Sequence, residues 1–308
     1  MEIMTSVQVS KLHTLTGHHD CVYTLEPSPK DNIFFSGSGD GMVVGWDLEN
    51  PENGTLIAKL PNSVYAMHHH SPTKTLIVAH NYEGIHLLDW ENKNEIGSLQ
   101  LTKAAIFDLK SYENFLFAAT GDGAVIKVDV EVLVVRNTAQ HSQRNARSIA
   151  INEQRGELAV GYSDNFIRIF DLDDLKLKKE WPAHSNSVFT VQYTPDSKSL
   201  LSGSRDARLK RWDATHEYEQ SGEVVAHMYA INHLAFSRDS KHFVTCSMDK
   251  SIKVWDTAGL KLLKVIDRSR HAGHGTSVNK ALWTNYDNQL LSASDDRTIS
   301  VWSINFEK

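Results

Sequence analysis

Cysteine is almost missing from this chain: Cys21 and Cys246 are the two in 308 residues. A disulfide framework and a cysteine-rich zinc site are thereby excluded, and each thiol reads as a small buried apolar residue with no redox role. Long apolar runs are missing as well. No stretch reaches the roughly 18 uninterrupted apolar residues that a membrane helix needs, and the opening MEIMTSVQVSKL lacks both the basic region and the apolar core of a secretory signal. The expected compartment is therefore the cytoplasm, without a membrane. An excess of positive charge is the third absence. Lys plus Arg number 32 against 38 Asp plus Glu, a net of -6, which leaves nucleic-acid binding only a local basic patch to work with.

What is present is a repeat. The strings MVVGWD, IHLLD, VIKVD, IRIFD, LKRWD, IKVWD and ISVWS place an apolar residue at Trp46, Leu88, Val128, Phe170, Trp212, Trp255 and Trp302, 40 to 47 residues apart. Seven such units fill the chain. Within a unit the hydrophobic period is two, as in LLSGSRDARLKRWD, and the runs are bounded by turn clusters such as YTPDSKS and FSRDSKH. Each run has strand length, so a unit holds three to four strands, with no helix of the length a parallel α/β fold would require. Radial repetition of four-stranded sheets leaves only short, protected edges, and about 44 residues is the period of one propeller blade. The expectation is all-β, a single seven-bladed propeller domain over 1–308.

Four units carry the same polar set at intervals of 18, 4 and 6: His18, Ser36, Asp40 and Trp46; His184, Ser202, Asp206 and Trp212; His227, Thr245, Asp249 and Trp255; His274, Ser292, Asp296 and Trp302. This pattern resembles the signature of the WD-repeat (WD40) β-propellers, and the resemblance runs from about Lys11 to Trp302. The carboxylate can hold one imidazole N–H, the other ring nitrogen can accept from the hydroxyl, and the hydroxyl can accept from the indole N–H. A fourfold recurrence argues for structural tetrads and against a hydrolytic Ser-His-Asp triad, which would be a single constellation with a free nucleophile. No catalytic residue, cofactor or metal is expected.

The remaining units depart from the pattern. Unit two has Leu60 in the His position and Tyr82 in the Asp position; unit three keeps Asp122 but has Thr102 and Val128; unit four keeps Asp164, shifts its His to His141 and has Phe170. Blades two to four are therefore expected to rest mainly on apolar packing and to form the softer arc of the ring. The ends predict closure. SINFEK after Trp302 is too short to turn into another strand, whereas Val9 to Leu15 can supply the outer strand of the blade formed by residues 278 to 302.

Other motifs are weaker. SGSGDG and TGDG fall in hairpin turns with no following helix to make a phosphate site. His68 with His70, and His271 with His274, are thin metal signals; DLDDL at Asp171 to Leu175 lacks the spacing of a calcium loop. Lys176, Lys178 and Lys179 read as edge-protecting charge on an outer strand. The connections are short, without a lid.

The resemblance implies that partners dock around the channel mouth. The residue five after the His position is Tyr23, Tyr65, Phe107, Arg147, Phe189, Asn232 and Asn279 in blade order; the residue before the Asp position is Gly39, Asn81, Gly121, Ser163, Arg205, Met248 and Asp295. Aromatic and Arg side chains are the usual anchors of an interface, and Arg147 with Arg205 could grip an acidic or phosphorylated group. The alternative is that these rings merely pack around the channel, each Arg satisfied by a carboxylate such as Asp164 or Asp206. The expected function is a non-catalytic, monomeric platform for a protein or peptide partner. A nucleic-acid or ribonucleoprotein-associated propeller binding through a local basic patch and an unrecognised propeller enzyme are the alternatives, the first disfavoured by net charge and the second by the lack of converging ligands.

Overall fold

The computed structural model describes residues 6–307. Twenty-eight strands form seven four-stranded antiparallel sheets. Six are simple meanders of consecutive strands. The seventh joins the two ends of the chain, with Ser6–Leu15 pairing antiparallel to Ile299–Glu307 outside Val278–Trp283 and Leu290–Ser294. The ring closes as the terminal segments predict. The α-helical content among the described residues is one turn, Arg268–His271.

Alternation explains the packing. Strands such as Ser199–Ser204 and Ile33–Ser38 bury almost every side chain because both faces of a central strand meet a neighbouring blade. Seven apolar clusters result, each spanning two adjacent blades; one joins Phe34, Trp46 and Val22 of blade one to Leu291, Ile299 and Val301 of blade seven. Close approach needs glycine at Gly203, where a Cβ would lie 2.7 Å from Ile231 of the next blade.

The four tetrads are hydrogen-bonded and buried. His18 Nδ1 meets Asp40 at 3.2 Å, its Nε2 meets Ser36 Oγ at 2.7 Å, and Trp46 Nε1 donates to the same oxygen at 2.8 Å. Corresponding distances are 3.0, 2.8 and 2.8 Å at His184, Ser202 and Trp212; 2.8, 2.7 and 2.8 Å at His227, Thr245 and Trp255; and 2.9, 2.8 and 2.9 Å at His274, Ser292 and Trp302. Each hydroxyl spends its proton on the imidazole and a lone pair on the indole, so it is not available as a nucleophile.

Blades three and four add polar bonds to the mainly apolar packing expected of them. Thr102 donates to Asp122 at 3.1 Å in blade three. In blade four Ser142, not His141, donates to Asp164 at 2.7 Å, while exposed His141 only approaches the Phe170 ring at 5.5 Å. Buried Arg168 binds Asp164 at 2.9 Å and Glu180 at 2.8 Å. Tyr218 of blade five donates to buried Glu157 of blade four at 2.5 Å, and Lys127 of blade three donates to the Asp173 carbonyl at 2.6 Å. The retained Asp122 and Asp164 still need donors once the His is gone, and short hydroxyls and a guanidinium supply them.

The tetrads fix the response to acid. Burial pushes Asp206, Asp249 and Asp296 upward, but hydrogen bonds from His184, His227 and His274 together with backbone N–H groups outweigh it and hold all three well below the usual carboxylate range. Burial lowers His18 and His227 despite their Asp partners, so these rings stay neutral. Both effects have one sign. Below the ordinary His value of about 6.5 and then the ordinary Asp value of about 3.9, the unfolded chain takes up protons that the folded chain refuses, so stability falls with falling pH. The melting temperature, followed by circular dichroism, should be level between about pH 6.5 and about pH 8, decline below that window and drop steeply under about pH 4. A level profile down to pH 4 would contradict the neutral imidazoles.

Candidate functional site

The inner strands Val22–Pro27, Met67–His70, Ile106–Tyr112, Ala146–Asn152, Val188–Tyr193, Ile231–Phe236 and Val278–Trp283 line the central channel. In six of them the pairing register shifts after the first residue, at Tyr23, Phe107, Arg147, Phe189, Asn232 and Asn279. A bulge of this kind re-aims one side chain out of the pleat. Blade two reaches the same place differently, with Tyr65 just ahead of its strand. All seven of these side chains line one cavity of about 310 Å³, together with Asp108, Ser148, His233 and Lys280.

Five members form a continuous stack. Tyr23 meets Tyr65 edge-on at 4.7 Å, Tyr65 stacks on Phe107 at 5.8 Å, and the Arg147 guanidinium lies 4.4 Å from the Phe107 ring centre and 5.1 Å from that of Phe189. Burial pushes the Tyr23 and Tyr65 hydroxyls up, so both present an O–H at neutral pH. The other side of the mouth is hydrogen-bonded to the scaffold. Asn232 donates to the Val278 carbonyl at 2.8 Å, and Asn279 donates to the Val22 carbonyl at 3.0 Å and to Asp295 at 2.7 Å.

The hairpin positions sit against this ring unequally. Ser163 accepts from Arg147 Nε at 2.9 Å. Asn81 is buried and accepts from the Ile106 N–H at 3.3 Å. A Cβ at Gly39 would strike Asp20, and one at Gly121 would touch Phe107. Arg205 and Met248 are exposed. Neither Arg147 nor Arg205 bonds the carboxylates that could have satisfied it: Asp164 is engaged by Arg168 and Ser142, and Asp206 by His184. Burial, with repulsion from Arg205, lowers Arg147. Two guanidinium groups thus share this quarter of the mouth without an acidic counterpart on Arg147 among the described residues.

Two exposed residues were missed by counting from the tetrads. Met228 and Tyr229, at 81% and 62% exposure, follow His227 in the loop leading into blade six, beside Met248, which bonds the Ala230 carbonyl at 3.0 Å. The available signal was a pair of large apolar residues in a turn, where no core would take them. The thin metal signals do not come together. His68 bonds Ser111 at 2.7 Å and approaches Glu26 at 3.1 Å, whereas His70 bonds Thr73 at 2.7 Å and the Glu113 carbonyl at 3.0 Å. His271 stands on the short helix and His274 in its tetrad.

Family comparison agrees with this geometry. The WD domain, G-beta repeat family matches residues 9–47, 175–213, 219–256 and 266–303, half of the chain and all four tetrads. The chain belongs to the WD-repeat family. Its relatives include the meiosis-specific APC/C activator protein AMA1 of Saccharomyces cerevisiae, 28% identical over 170 residues, covering 50% of this chain and 28% of AMA1. The 66 kDa stress protein of Physarum polycephalum is 24% identical over 307 residues, covering 94% of this chain and 47% of that protein. The chain thus spans less than half the length of these relatives. The crystal structure of the WD40 β-propeller domain of Doa1 superposes with a TM-score of 0.85 over 96% of this chain and 97% of that one at 15% identity, a likeness of fold.

Proposed function

We propose that this WD-repeat propeller is a non-catalytic protein-binding platform that seats an acidic segment of its partner in the channel mouth. One observation carries the proposal: Arg147 is clamped between Phe107 and Phe189, close enough to Arg205 to feel its charge, and pairs with no carboxylate among the described residues. Cations prefer anionic partners when desolvated, and a guanidinium preordered by ring stacking can bind a carboxylate or phosphate bidentately with little entropy loss. Tyr65 and Tyr23 add hydroxyl donors, and Met228, Tyr229 and Met248 add apolar area on the loops of blade six. Such a mixture of aromatic, Arg and Met residues is typical of interface anchors. The relationship to AMA1, named as an APC/C activator, fits a role exerted through another protein.

The test is affinity capture from a lysate of the source cell with the full chain and with its Tyr65→Ala, Phe189→Ala, Arg205→Ala triple variant, at low and moderate salt. Proteins held by the first and lost by the second, with affinity falling as salt rises, are the expected result. Identical retained sets from both, with the variant folded by circular dichroism, would refute the assignment of this face.

A further inference from the structure

Blade two lacks every tetrad residue: Leu60, Val78, Tyr82 and Leu88 stand in the positions of His, Ser, Asp and Trp. The same sheet face carries something else. Thr75–His80 and Gly84–Asp89 form a hairpin in which His80 pairs with Gly84 and Val78 with His86, so that the two imidazoles lie diagonally on one face. Their ring centres are 5.4 Å apart, and Glu83, in the turn, closes the group. One ligand atom from each of His80, Glu83 and His86 lies within 4.8 Å of the others.

The polar atoms of this cluster are not satisfied by one another. The His80 side chain is fully buried, and its Nδ1 lies 3.1 Å from Glu83 Oε2 without the alignment of a hydrogen bond. His86 Nδ1 is likewise buried and unbonded, 3.3 Å from Glu95 Oε1. Buried ring nitrogens left beside carboxylates without a hydrogen bond are costly, and a cation between them would remove that cost. In the four tetrads an Asp and a hydroxyl satisfy the imidazole, and the Trp N–H bonds that hydroxyl; in blade two Leu60, Val78, Tyr82 and Leu88 hold those positions.

We propose that His80, Glu83 and His86 form a zinc site that takes the place of the tetrad in blade two. Two imidazoles and one carboxylate are a borderline-soft set suited to zinc, whereas calcium and magnesium prefer all-oxygen cages. Zinc bonds of about 2.0–2.2 Å put tetrahedral ligands about 3.3 Å apart, so the cluster must tighten slightly. Glu83 can supply that movement, since its side chain is 58% exposed and sits in the turn. Solvent fills the fourth position, reached through a surface cavity of about 250 Å³ lined by Glu83, His86, Ser98 and Gln100. Glu95 adds a second negative charge beside His86. Asn62 Nδ2 lies 3.3 Å from His80 Nε2; a ring ligating through Nδ1 carries its proton on Nε2, so on zinc binding the Asn62 amide must turn its oxygen to that nitrogen to serve as the outer-shell acceptor. The bound ion would tie the hairpin, through His80 and Asn62, to the loop leading into blade two.

Equilibrium dialysis of the full chain against zinc chloride, with magnesium chloride as control, tests the assignment. The expected result is one zinc per chain at micromolar or lower free zinc, no comparable magnesium uptake, and slower amide exchange across residues 78–88 in zinc. Glu83→Gln, a mostly exposed change that leaves the fold intact, should weaken zinc binding at least tenfold, and His86→Gln should abolish it. Zinc uptake below one equivalent, equal uptake by both variants, or exchange slowed at another segment instead would each overturn the proposal.

Discussion

A chain beginning at Gly17 should melt roughly 10 °C or more below the full chain and form soluble aggregates. The segment it lacks includes Ser6–Leu15, which pairs with Ile299–Glu307 from Ser6 opposite Glu307 to Leu15 opposite Ile299. Val7 enters the apolar cluster between blades six and seven, Leu15 the cluster between seven and one, so one strand seams two interfaces. Lys11 adds a contact 5.5 Å above the Trp302 ring and a 2.9 Å bond to the Ala272 carbonyl. Losing the burial of two aliphatic side chains costs about 1.5–3 kcal/mol each. Loss of the ladder bonds brings the sum to the order of 5 kcal/mol, comparable with the whole stability of many domains. The exposed edge of Ile299–Glu307 would then recruit strands from other molecules. Scanning calorimetry and light scattering read both effects, and a synthetic peptide of residues 6–16 should restore much of the loss. An unchanged melt would mean that the ring does not depend on this closure.

Trp255→Ala should remove about 4–6 kcal/mol, most of it from the ring. Trp255 is buried, stacks on Phe243 at 6.2 Å and donates to Thr245 at 2.8 Å. Deleting so large a side chain from a core costs about 3–5 kcal/mol, and the lost bond to a buried hydroxyl adds about 1 kcal/mol. Trp255→Phe separates the two contributions, because it keeps most of the area and loses the indole N–H; a cost of about 1–2 kcal/mol is expected. Phe170→Ala in blade four, with no indole to lose, should cost the packing part alone, about 3–5 kcal/mol. Denaturant midpoints for the three variants provide the comparison. A Phe variant as damaging as the Ala variant would show that the indole N–H, not the ring, dominates the tetrad.

The ring architecture was legible because its cause is periodic. A Trp, Phe, Val or Leu every 40 to 47 residues and a period of two between turns leave little choice but repeated sheets, and an unpaired N-terminal run of strand length leaves little choice about closure. The cavity lining was legible for the related reason that a bulge recurs at one position: counting five from the His position reaches Tyr23, Phe107, Arg147, Phe189, Asn232 and Asn279, each at a register shift. What repetition does not govern stayed hidden. Ser142 stands at the His position by spacing, 22 before Asp164 as His18 is before Asp40, but that a hydroxyl there would bond the carboxylate, and that Arg168 would reach it from the neighbouring strand, is not written in the repeat. His80, Glu83 and His86 come together only through the register of one hairpin, in the blade whose sequence departs furthest from the others. Met228 and Tyr229 announce themselves by exposure, which a pattern of strand positions does not encode.

Hydrogen exchange on the propeller with and without its captured partner tests the central claim most directly, because it maps the contact without altering any side chain. Partner-dependent protection is predicted at the starts of the inner strands around Tyr23, Tyr65, Phe107, Arg147 and Phe189, and in the blade-six loop at Met228 and Tyr229, with the outer strands unchanged. Protection confined to outer strands such as Leu177–Pro182 or Glu219–Val225, with the channel mouth exchanging as in the free protein, would contradict it.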